Sequence, residues 1–244
     1  MTARAATPRW VVLLAVKPLS LAKSRLARPD RPALTLAMAA DTAAAAARVG
    51  AVEAVVVVTD DEDAGSLLSP VAVVVPDTPA AGLNPALLHG AAEAASRWPE
   101  AGVAVLAADL PALRPAGLAA ALALAAGHMR AVVADAGGSG TVLLSASSGV
   151  TLTPVFGPDS RYRHLDEGAV DLTDLLPGGE HGVVAAGLRR DVDTAADLEV
   201  AIGIGVGPMT AQVLAATQEF TFGWHTSAVS DSHVEWAHHG RPRE

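Results

Sequence analysis

Cysteine is absent from this sequence of 244 residues, and aromatic residues are scarce. Without cysteine the chain can form neither a disulfide nor a thiolate zinc site, and it has no cysteine nucleophile. Aromatic residues make up 3% of the chain, whereas hydrophobic residues make up 51%. Alanine and valine must therefore fill the core, which is typical of small-residue helices packed on valine-rich strands.

Long hydrophobic runs and an excess of positive charge are also missing. No apolar run reaches the roughly 18–20 residues that cross a bilayer, and no signal-peptide cleavage pattern follows the N-terminus, so we expect a cytoplasmic protein with no membrane partner. The net charge is −9, from 17 Lys and Arg against 26 Asp and Glu. Such a surface repels nucleic acid. A polyanionic ligand could bind only where a few positioned cations or a metal ion neutralise its charge.

Continuously apolar stretches alternate with helix-like stretches along the chain. Because these runs are not interrupted by alternating polar residues, they predict strands that are covered on both faces. We therefore expect an α/β fold with a Rossmann-like, mainly parallel sheet and helices on both of its faces. The predicted strands are 10–16, 52–59, 71–75, 103–108, 131–134 and 140–149. The predicted helices are 31–48, 83–97, 115–127, a short one from Asp159 or Ser160, another short one between residues 171 and 187, and one from about Thr194.

The composition changes near residue 216. We predict that residues 1–215 form a single domain and that residues 216–244 form an appended, poorly ordered tail. The tail holds four of the eight histidines. They could bind a metal ion or simply belong to the extension; they are His225, His233, His238 and His239.

Three cations follow the first predicted strand, where nucleotide-binding chains often carry a glycine-rich turn. Lys17, Lys23 and Arg25 occupy this place, and residues 11–26 contain no glycine. Lysine reaches a phosphate as a point charge, and arginine can bind it bidentately. Three cations within nine residues of an acidic protein favour a phosphate-binding site over an ordinary solvated surface.

Carboxylates stand at two further places where a ligand could bind. Asp109 follows the predicted strand 103–108, and ligands of parallel sheets bind at the carboxyl ends of strands. Asp191 and Asp193 lie two residues apart, so an extended backbone would direct both to one face. Together with Asp109 they could hold one or two metal ions such as Mg2+. Alternatively, Asp109 could bind a ribose hydroxyl, or Asp109 and Asp193 could cap the helices that follow them.

A glycine-rich turn lies between the last two predicted strands. Neither a Walker phosphate loop nor a dinucleotide fingerprint fits, because no Gly-Lys-Ser/Thr follows and a strand comes next. Two interpretations stay open for Gly137, Gly138 and Gly140. They could form a nest of N–H groups that binds an anion, with the Thr141 hydroxyl beside it, or a plain hairpin turn.

The segment around residue 160 offers a second place for an anion. Gly157 and Ser160 stand before or at a predicted helix start, where free N–H groups and the helix dipole favour negative charge. Arg161, Arg163 and His164 are nearby cations. They could help to bind a carboxylate or phosphate, or they could form a solvated helix face.

The chain resembles a known family, the phosphoenolpyruvate / 2-phospho-L-lactate guanylyltransferases of deazaflavin coenzyme F-420 biosynthesis. The resemblance covers about residues 10–215 and implies a nucleotidyltransferase (GT-A-like) fold, similar to that of molybdopterin-guanine-dinucleotide synthesis enzymes. Relatives in that wider group usually carry a Gly-Gly-rich first loop, which this sequence lacks. Five segments carry the resemblance by their order and spacing, namely KPLSLAKSRL, LAADLPAL, GGSGTVLL, FGPDSRYRHLDEG and RRDVDT.

This resemblance implies an enzyme that transfers GMP from GTP to a three-carbon phosphorylated acid and releases pyrophosphate. The phosphate oxygen of the acid would attack the α-phosphorus of GTP, with Mg2+ as cofactor. The implied residues fall into three groups. The metal would be held by Asp109, Asp191 and Asp193, and the phosphorylated acid would be bound by Thr141, Gly157 and Ser160. The GTP phosphates would be contacted by Lys17, Lys23 and Arg25, which would act in catalysis together with Asp109.

Several alternatives stay open at this point. The acid could be phosphoenolpyruvate, 2-phospho-L-lactate or a related phosphoglycerate, and the alanine- and valine-rich composition, which resembles high-GC bacterial members, favours phosphoenolpyruvate. A sugar-phosphate nucleotidyltransferase, a metal-dependent glycosyltransferase of the same fold, or a non-catalytic nucleotide-binding regulator would share many of these features. We expect a monomer or homodimer.

Overall fold

The computed structural model of the chain describes residues 8–17, 26, 28–78, 80–177 and 182–227. Lys23, Arg25 and residues 228–244 of the predicted tail lie outside the described residues. The roles assigned to these residues therefore stay predictions.

The described residues form seven β-strands and eight α-helices, which include all the predicted ones with small shifts at their ends. The strands are β1 (Trp10–Ala15), β2 (Val52–Val58), β3 (Val73–Val75), β4 (Gly102–Leu106), β5 (Arg130–Ala134), β6 (Thr141–Ala146) and β7 (Val170–Asp171). The helices are α1 (Arg31–Ala47), α2 (Glu62–Leu68), α3 (Leu83–Arg97), α4 (Pro115–Ala125), α5 (Ser160–Asp166), α6 (Val183–Arg189), α7 (Ala195–Ile204) and α8 (Pro208–Ser227).

The strands form one sheet in the order β3-β2-β1-β4-β6-β5-β7. Neighbouring strands are parallel except at β6, which runs antiparallel to both β4 and β5. The connection 135–140 is too short for a crossover helix, so β5 and β6 form a hairpin. The prediction of a mainly parallel sheet is confirmed, with β6 as the antiparallel exception.

Alternate residues of β1 face two separate apolar layers. Val12 and Leu14 pack in the layer that contains α1, α4 and α6, whereas Val11 and Leu13 pack in the layer that contains α3. All four side chains are buried. A Cβ at Gly90 of α3 would overlap the side chain of Leu13, so this helix lies very close to the sheet. Helices cover both faces, which explains why the strands are apolar on both sides.

Several local features differ from what the sequence analysis anticipated, among them the two-residue strand β7, which was not predicted. Helix α2 was not predicted, because seven residues are too few for an apolar period to appear; its start is capped by the Asp61 side chain, which accepts the Ala64 N–H at 3.0 Å. Farther along, Arg189 ends α6, so residues 190–194 alone connect α6 to α7, and their backbone is irregular rather than an extended strand.

Helix α8 crosses the predicted domain boundary at residue 216 without a break. It packs along α1, and a hydrogen bond of 2.6 Å from the Thr217 hydroxyl to the Asp30 carboxylate joins the two. The boundary and the order of the tail therefore stay predictions. Across the described part of the chain, none of the helices has both the length and the apolar character that crossing a membrane requires.

Candidate active site

A cavity of about 480 Å³ opens at one edge of the sheet. It lies where β1, β4 and β5 end and where the antiparallel β6 begins. Ligands of open α/β sheets bind at this edge. The cavity brings together all seven described residues that the resemblance assigned to the metal, the acid or the GTP phosphates. Of the other described candidates for an anion site, Gly137, Gly138, Arg161, Arg163 and His164 are not among its lining residues. Its polar lining includes Lys17, Asp109, Asp135, Thr141, Gly157, Ser160, Asp191 and Asp193.

A backbone hydrogen bond brings the segment after α6 against the end of β4. The Val192 N–H donates to the carbonyl of Asp109 at 3.1 Å. Asp191 and Asp193 therefore flank a residue that is bonded directly to Asp109. The three carboxylates line one cavity although Asp109 and Asp191 are 82 positions apart in the sequence.

The helix-capping alternative does not hold for these aspartates. At α4 the N-cap residue is Arg114, whose side chain makes no cap hydrogen bond. At α7 the cap is Thr194, which forms a reciprocal capping box with Asp197. Asp109 and Asp193 are thus not the residues that begin the helices after them.

Negative charge accumulates around Asp191, which is partly buried in the cavity wall. Burial raises its pKa from 3.8 to about 7, and the charges of Asp109, Asp135 and Asp193 act in the same direction. A cation placed among these carboxylates would favour the ionised form again. The wall therefore has the electrostatic character of a cation site.

Asp135 is a cavity carboxylate that the sequence analysis did not single out. It follows directly on β5, and this strand-end position was the available signal. Its Oδ1 accepts the Gly138 N–H at 2.6 Å, so that N–H binds a residue of the chain itself and not a ligand anion. A Cβ at Gly140 would overlap the same carboxylate, which explains the glycine at that position.

Arg189 holds the end of β5 in place. Its buried guanidinium donates to the carbonyls of Ala134 and Asp135 at 3.0 and 2.7 Å. In return, its own carbonyl accepts the Ala136 N–H at 2.8 Å. Because Arg189 is the last residue of α6, these bonds connect β5 to the segment that carries Asp191.

A metal ion at these carboxylates would need a bound ligand to complete its coordination. Among the residues that the structure describes, no three or more His, Asp or Glu side chains are grouped so that they could hold a metal ion on their own. Mg2+ commonly takes one or two carboxylates and completes its coordination with water and substrate phosphates. Burial is the main cause of the raised pKa of Asp191, and the neighbouring negative charges, which a metal ion would offset, add to it.

The three residues predicted to bind the acid lie together in the cavity. Thr141 begins β6 and Ser160 begins α5, and their exposed fractions are only 8% and 2%. Gly157 has a φ of +131°, a conformation that glycine adopts far more readily than other residues. Its carbonyl accepts the Ser160 N–H at 3.2 Å, which fixes the approach to α5.

The described cations near the cavity have different roles. Lys17 follows β1, lines the cavity and is exposed. Arg161 pairs with Asp171 at 2.6 Å and donates to a carbonyl of the glycine-rich turn at 2.9 Å, so it braces that turn. Burial, with the nearby charge of Arg163, lowers the pKa of His164 from 6.5 to about 4. At neutral pH His164 is therefore not one of the cations that the sequence suggested.

Comparison with known proteins identifies close relatives over most of the chain. The profile of the MobA-like NTP transferase domain matches residues 24–171. A phosphoenolpyruvate guanylyltransferase of Thermomonospora curvata is 51% identical over 222 residues, which cover 89% of this chain and 94% of the relative. One of Frankia casuarinae is 49% identical over 245 residues, which cover 91% of this chain and 80% of the relative.

Solved structures show the same fold at low sequence identity. A Methanothermobacter nucleotidyl transferase has a TM-score of 0.54 at 18% identity and covers 80% of this chain and 97% of its own. A 4-diphosphocytidyl-2C-methyl-D-erythritol synthase has a TM-score of 0.53 at 13% identity and covers 81% and 99%. The predicted nucleotidyltransferase fold is confirmed. By sequence, the chain belongs to the MobA-like NTP transferases and, within them, to the family of phosphoenolpyruvate guanylyltransferases.

Proposed function

We propose that the protein transfers GMP from GTP to the phosphate of phosphoenolpyruvate and releases pyrophosphate. The observation that carries this proposal is one cavity lined by Lys17, by a group of carboxylates and by the hydroxyl-bearing residues Thr141 and Ser160. Its volume is typical of small-molecule sites. Relatives at about 50% identity that are named phosphoenolpyruvate guanylyltransferases support the same reaction.

The reaction needs charge neutralisation rather than proton transfer. A phosphate oxygen of the acid attacks the α-phosphorus of GTP, and the bond from that phosphorus to the pyrophosphate oxygen breaks. Since the nucleophile is already an anion, no general base is required. Positioning and electrostatic stabilisation supply the catalysis. Lys17 contributes positive charge at the end of β1, and we propose that Lys23 and Arg25 extend this charge along the GTP phosphates.

Asp109, Asp191 and Asp193 are the residues proposed to hold Mg2+. When bound, the ion neutralises the phosphates of GTP and the charge that develops on pyrophosphate. The contribution of the chain is to keep the three carboxylates at one wall of the cavity. The backbone bond from Val192 to Asp109 and the capping box at Thr194 hold the segment on both sides of Asp193.

Thr141, Gly157 and Ser160 form the proposed acid subsite, a name we use below for these three residues. The hydroxyls of Thr141 and Ser160 can donate to carboxylate or phosphate oxygens, and Gly157 allows close approach to the backbone. Phosphoenolpyruvate and 2-phospho-L-lactate differ by two hydrogen atoms across one carbon–carbon bond, which is double in the first acid and single in the second, so both belong in the test. We further propose that the enzyme acts in cytoplasmic coenzyme F-420 synthesis as a monomer or homodimer.

Mass spectrometry of reaction mixtures tests the base, the acid and the reaction type together. Purified protein is incubated with Mg2+, one of the four common nucleoside triphosphates, and phosphoenolpyruvate, 2-phospho-L-lactate or a sugar 1-phosphate. We expect a guanylylated acid and an equal amount of pyrophosphate only with GTP and phosphoenolpyruvate. A nucleotide-sugar product, or no pyrophosphate with any acid, would contradict the proposal.

A further inference from the structure

His164 is a buried group that the proposed reaction leaves unexplained. Its side chain is 0% exposed and lies on α5, one helical turn after Ser160. Nδ1 is 3.0 Å from the hydroxyl oxygen of Thr141, and Nε2 is 3.0 Å from the backbone nitrogen of Val155. Both ring nitrogens therefore have a protein partner at hydrogen-bond distance.

The contact with Val155 decides which nitrogen carries the ring proton. A backbone N–H can only donate, so Nε2 must accept with its lone pair. The single proton of a neutral imidazole then lies on Nδ1, which faces Thr141. The ring is neutral at physiological pH because burial and the charge of Arg163 lower its pKa to about 4.

This tautomer fixes the role of the Thr141 hydroxyl. Nδ1–H can then donate to Oγ1, beside the hydrogen bond that His164 makes with the backbone of Ser160, and Oγ1 cannot donate back to a nitrogen that already carries a proton. The hydroxyl hydrogen must therefore find its acceptor elsewhere, and Thr141 lines the cavity. Carboxylate and ionised phosphate oxygens only accept hydrogen bonds, so a hydroxyl held as a donor matches an anionic ligand.

His164 also fixes the loop that leads to Gly157. Nε2 holds Val155, and the ring of Phe156 packs edge-on against the imidazole with centroids 4.8 Å apart and planes at 71°. From α3, Asn84 accepts the Phe156 N–H at 2.9 Å and donates to its carbonyl at 3.1 Å. One imidazole thus connects the first residue of β6, the loop before Gly157 and helix α5.

We propose that His164 is a positioning residue for the phosphorylated acid. Its Nδ1–H holds the Thr141 hydroxyl as a hydrogen-bond donor to an anionic oxygen of the acid, while Nε2 fixes the loop before Gly157. His164 neither touches the acid nor exchanges a proton with it. This inference rests on the proposed function, because it deepens the role of the acid subsite.

Nitrogen-15 NMR of labelled histidine tests the tautomer in the wild-type protein without any assay of activity. The spectrum of His164→Gln identifies the His164 resonances by their loss. We expect a neutral ring with its proton on Nδ1 at pH 7. A proton on Nε2, or a charged ring at that pH, would overturn the inference. This measurement does not depend on activity. It therefore tests the tautomer even if the protein guanylylates no acid and the proposed function is wrong.

Two matched variants separate the two bonds of the ring. His164→Asn places an amide near Nδ1 and keeps a donor for Thr141, whereas His164→Gln places an acceptor near Nε2 for Val155 and loses that donor. We expect His164→Gln to raise the KM for phosphoenolpyruvate about 10-fold, with the KM for GTP within about 2-fold of wild type. His164→Asn should raise the KM for the acid less. Equal effects of both variants, or an equal rise in the KM for GTP, would contradict the inference.

A double-mutant cycle with Thr141→Val tests whether His164 acts through the Thr141 hydroxyl or has only a structural role. Valine keeps the shape of threonine but removes the hydroxyl. If His164 acts through that hydroxyl, His164→Gln should raise the KM for the acid no further once Thr141 is valine. Effects that multiply in the double variant would show that His164 acts by another route and would overturn the inference.

Discussion

At the scale of single residues, two titratable side chains of the site depart from their ordinary pKa in opposite directions. Burial and the neighbouring carboxylates raise the pKa of Asp191 to about 7. Burial and Arg163 lower the pKa of His164 to about 4. Asp191 lies in the cavity wall that would bind a cation. His164 is a neutral residue whose hydrogen bonds position the acid subsite.

The neutral state of His164 predicts a pH dependence of stability. A histidine in the unfolded chain takes up a proton near pH 6.5, whereas His164 in the folded protein does so only near pH 4. Its contribution to the free energy of unfolding is therefore complete above about pH 6.5 and is lost as the pH falls towards 4. The expected loss at pH 5 is about 2 kcal/mol. Urea unfolding at pH 7.5 and pH 5.0 measures it.

His164→Gln is the comparison that isolates this effect. Acidic residues change the stability of both proteins in the same way, so the difference between the two pH profiles belongs to His164. We expect the variant to lose less stability than the wild type between pH 7.5 and pH 5.0. Equal losses would show that the imidazole is not held neutral.

Positions at the cavity were predictable from the sequence where the signal was local, whereas the roles of these residues stay predictions. Asp109 follows an apolar strand, and Asp191 and Asp193 have a recognisable spacing; all three line the cavity. Asp135 has a similar strand-end position, but the glycines beside it indicated a turn. The sequence analysis therefore did not identify its carboxylate as part of the site. The role of His164 depends on partners that only the tertiary fold brings to its ring, so no local pattern could reveal it.

At the scale of secondary-structure elements, the loop between β4 and α4 is held by elements from the end of the chain. The Gly207 N–H donates to the Pro111 carbonyl at 2.8 Å, and the Val192 N–H donates to the Asp109 carbonyl at 3.1 Å. A Cβ at Gly187 would overlap a backbone carbonyl of this loop, so α6 lies directly against it. The position of Asp109 thus depends on the packing of α6, α7 and α8.

Asp41 anchors α8 on α1. Its carboxylate is 6% exposed and accepts the N–H groups of Met209 and Thr210 at 3.1 and 2.8 Å. Asp41→Ala would leave two donors at the start of α8 without this partner. We expect the free energy of unfolding to fall by about 2 kcal/mol, measured by urea unfolding at pH 7.5. Glu199→Ala on the exposed side of α7 is the control and should change it by less than about 0.5 kcal/mol. Equal stability of the two variants would contradict this role.

The strands and long helices were predictable because their signals are local. Continuous valine and alanine runs mark the buried strands, and Pro32 and Pro115 lie in the first turns of α1 and α4. The place of β6 between β4 and β5 was not predictable, because strand order is decided by long-range pairing. The sequence therefore did not predict that the carboxyl ends of β4 and β5 lie on the two sides of β6.

At the scale of the whole molecule, an enzyme with a net charge of −9 must bring together two polyanions. The general field of such a protein repels them. Binding therefore depends on local features of the cavity, namely Lys17, the predicted cations after it, and the carboxylates that would hold Mg2+. The mainly parallel sheet is what brings these distant segments to one edge.

The central claim is that Asp109, Asp191 and Asp193 act on GTP through one shared metal site. The most direct measurement is the kcat for guanylyl transfer with Mg2+ in wild type, Asp109→Asn and Asp193→Asn, with urea unfolding to verify the fold. Asp166→Asn is the control, because Asp166 is exposed on α5 and does not line the cavity. We predict a loss of roughly 100-fold or more, about 2.7 kcal/mol, in both cavity variants and near wild-type turnover in the control. Wild-type turnover in either cavity variant, with Mg2+ as the only divalent ion, would contradict the claim.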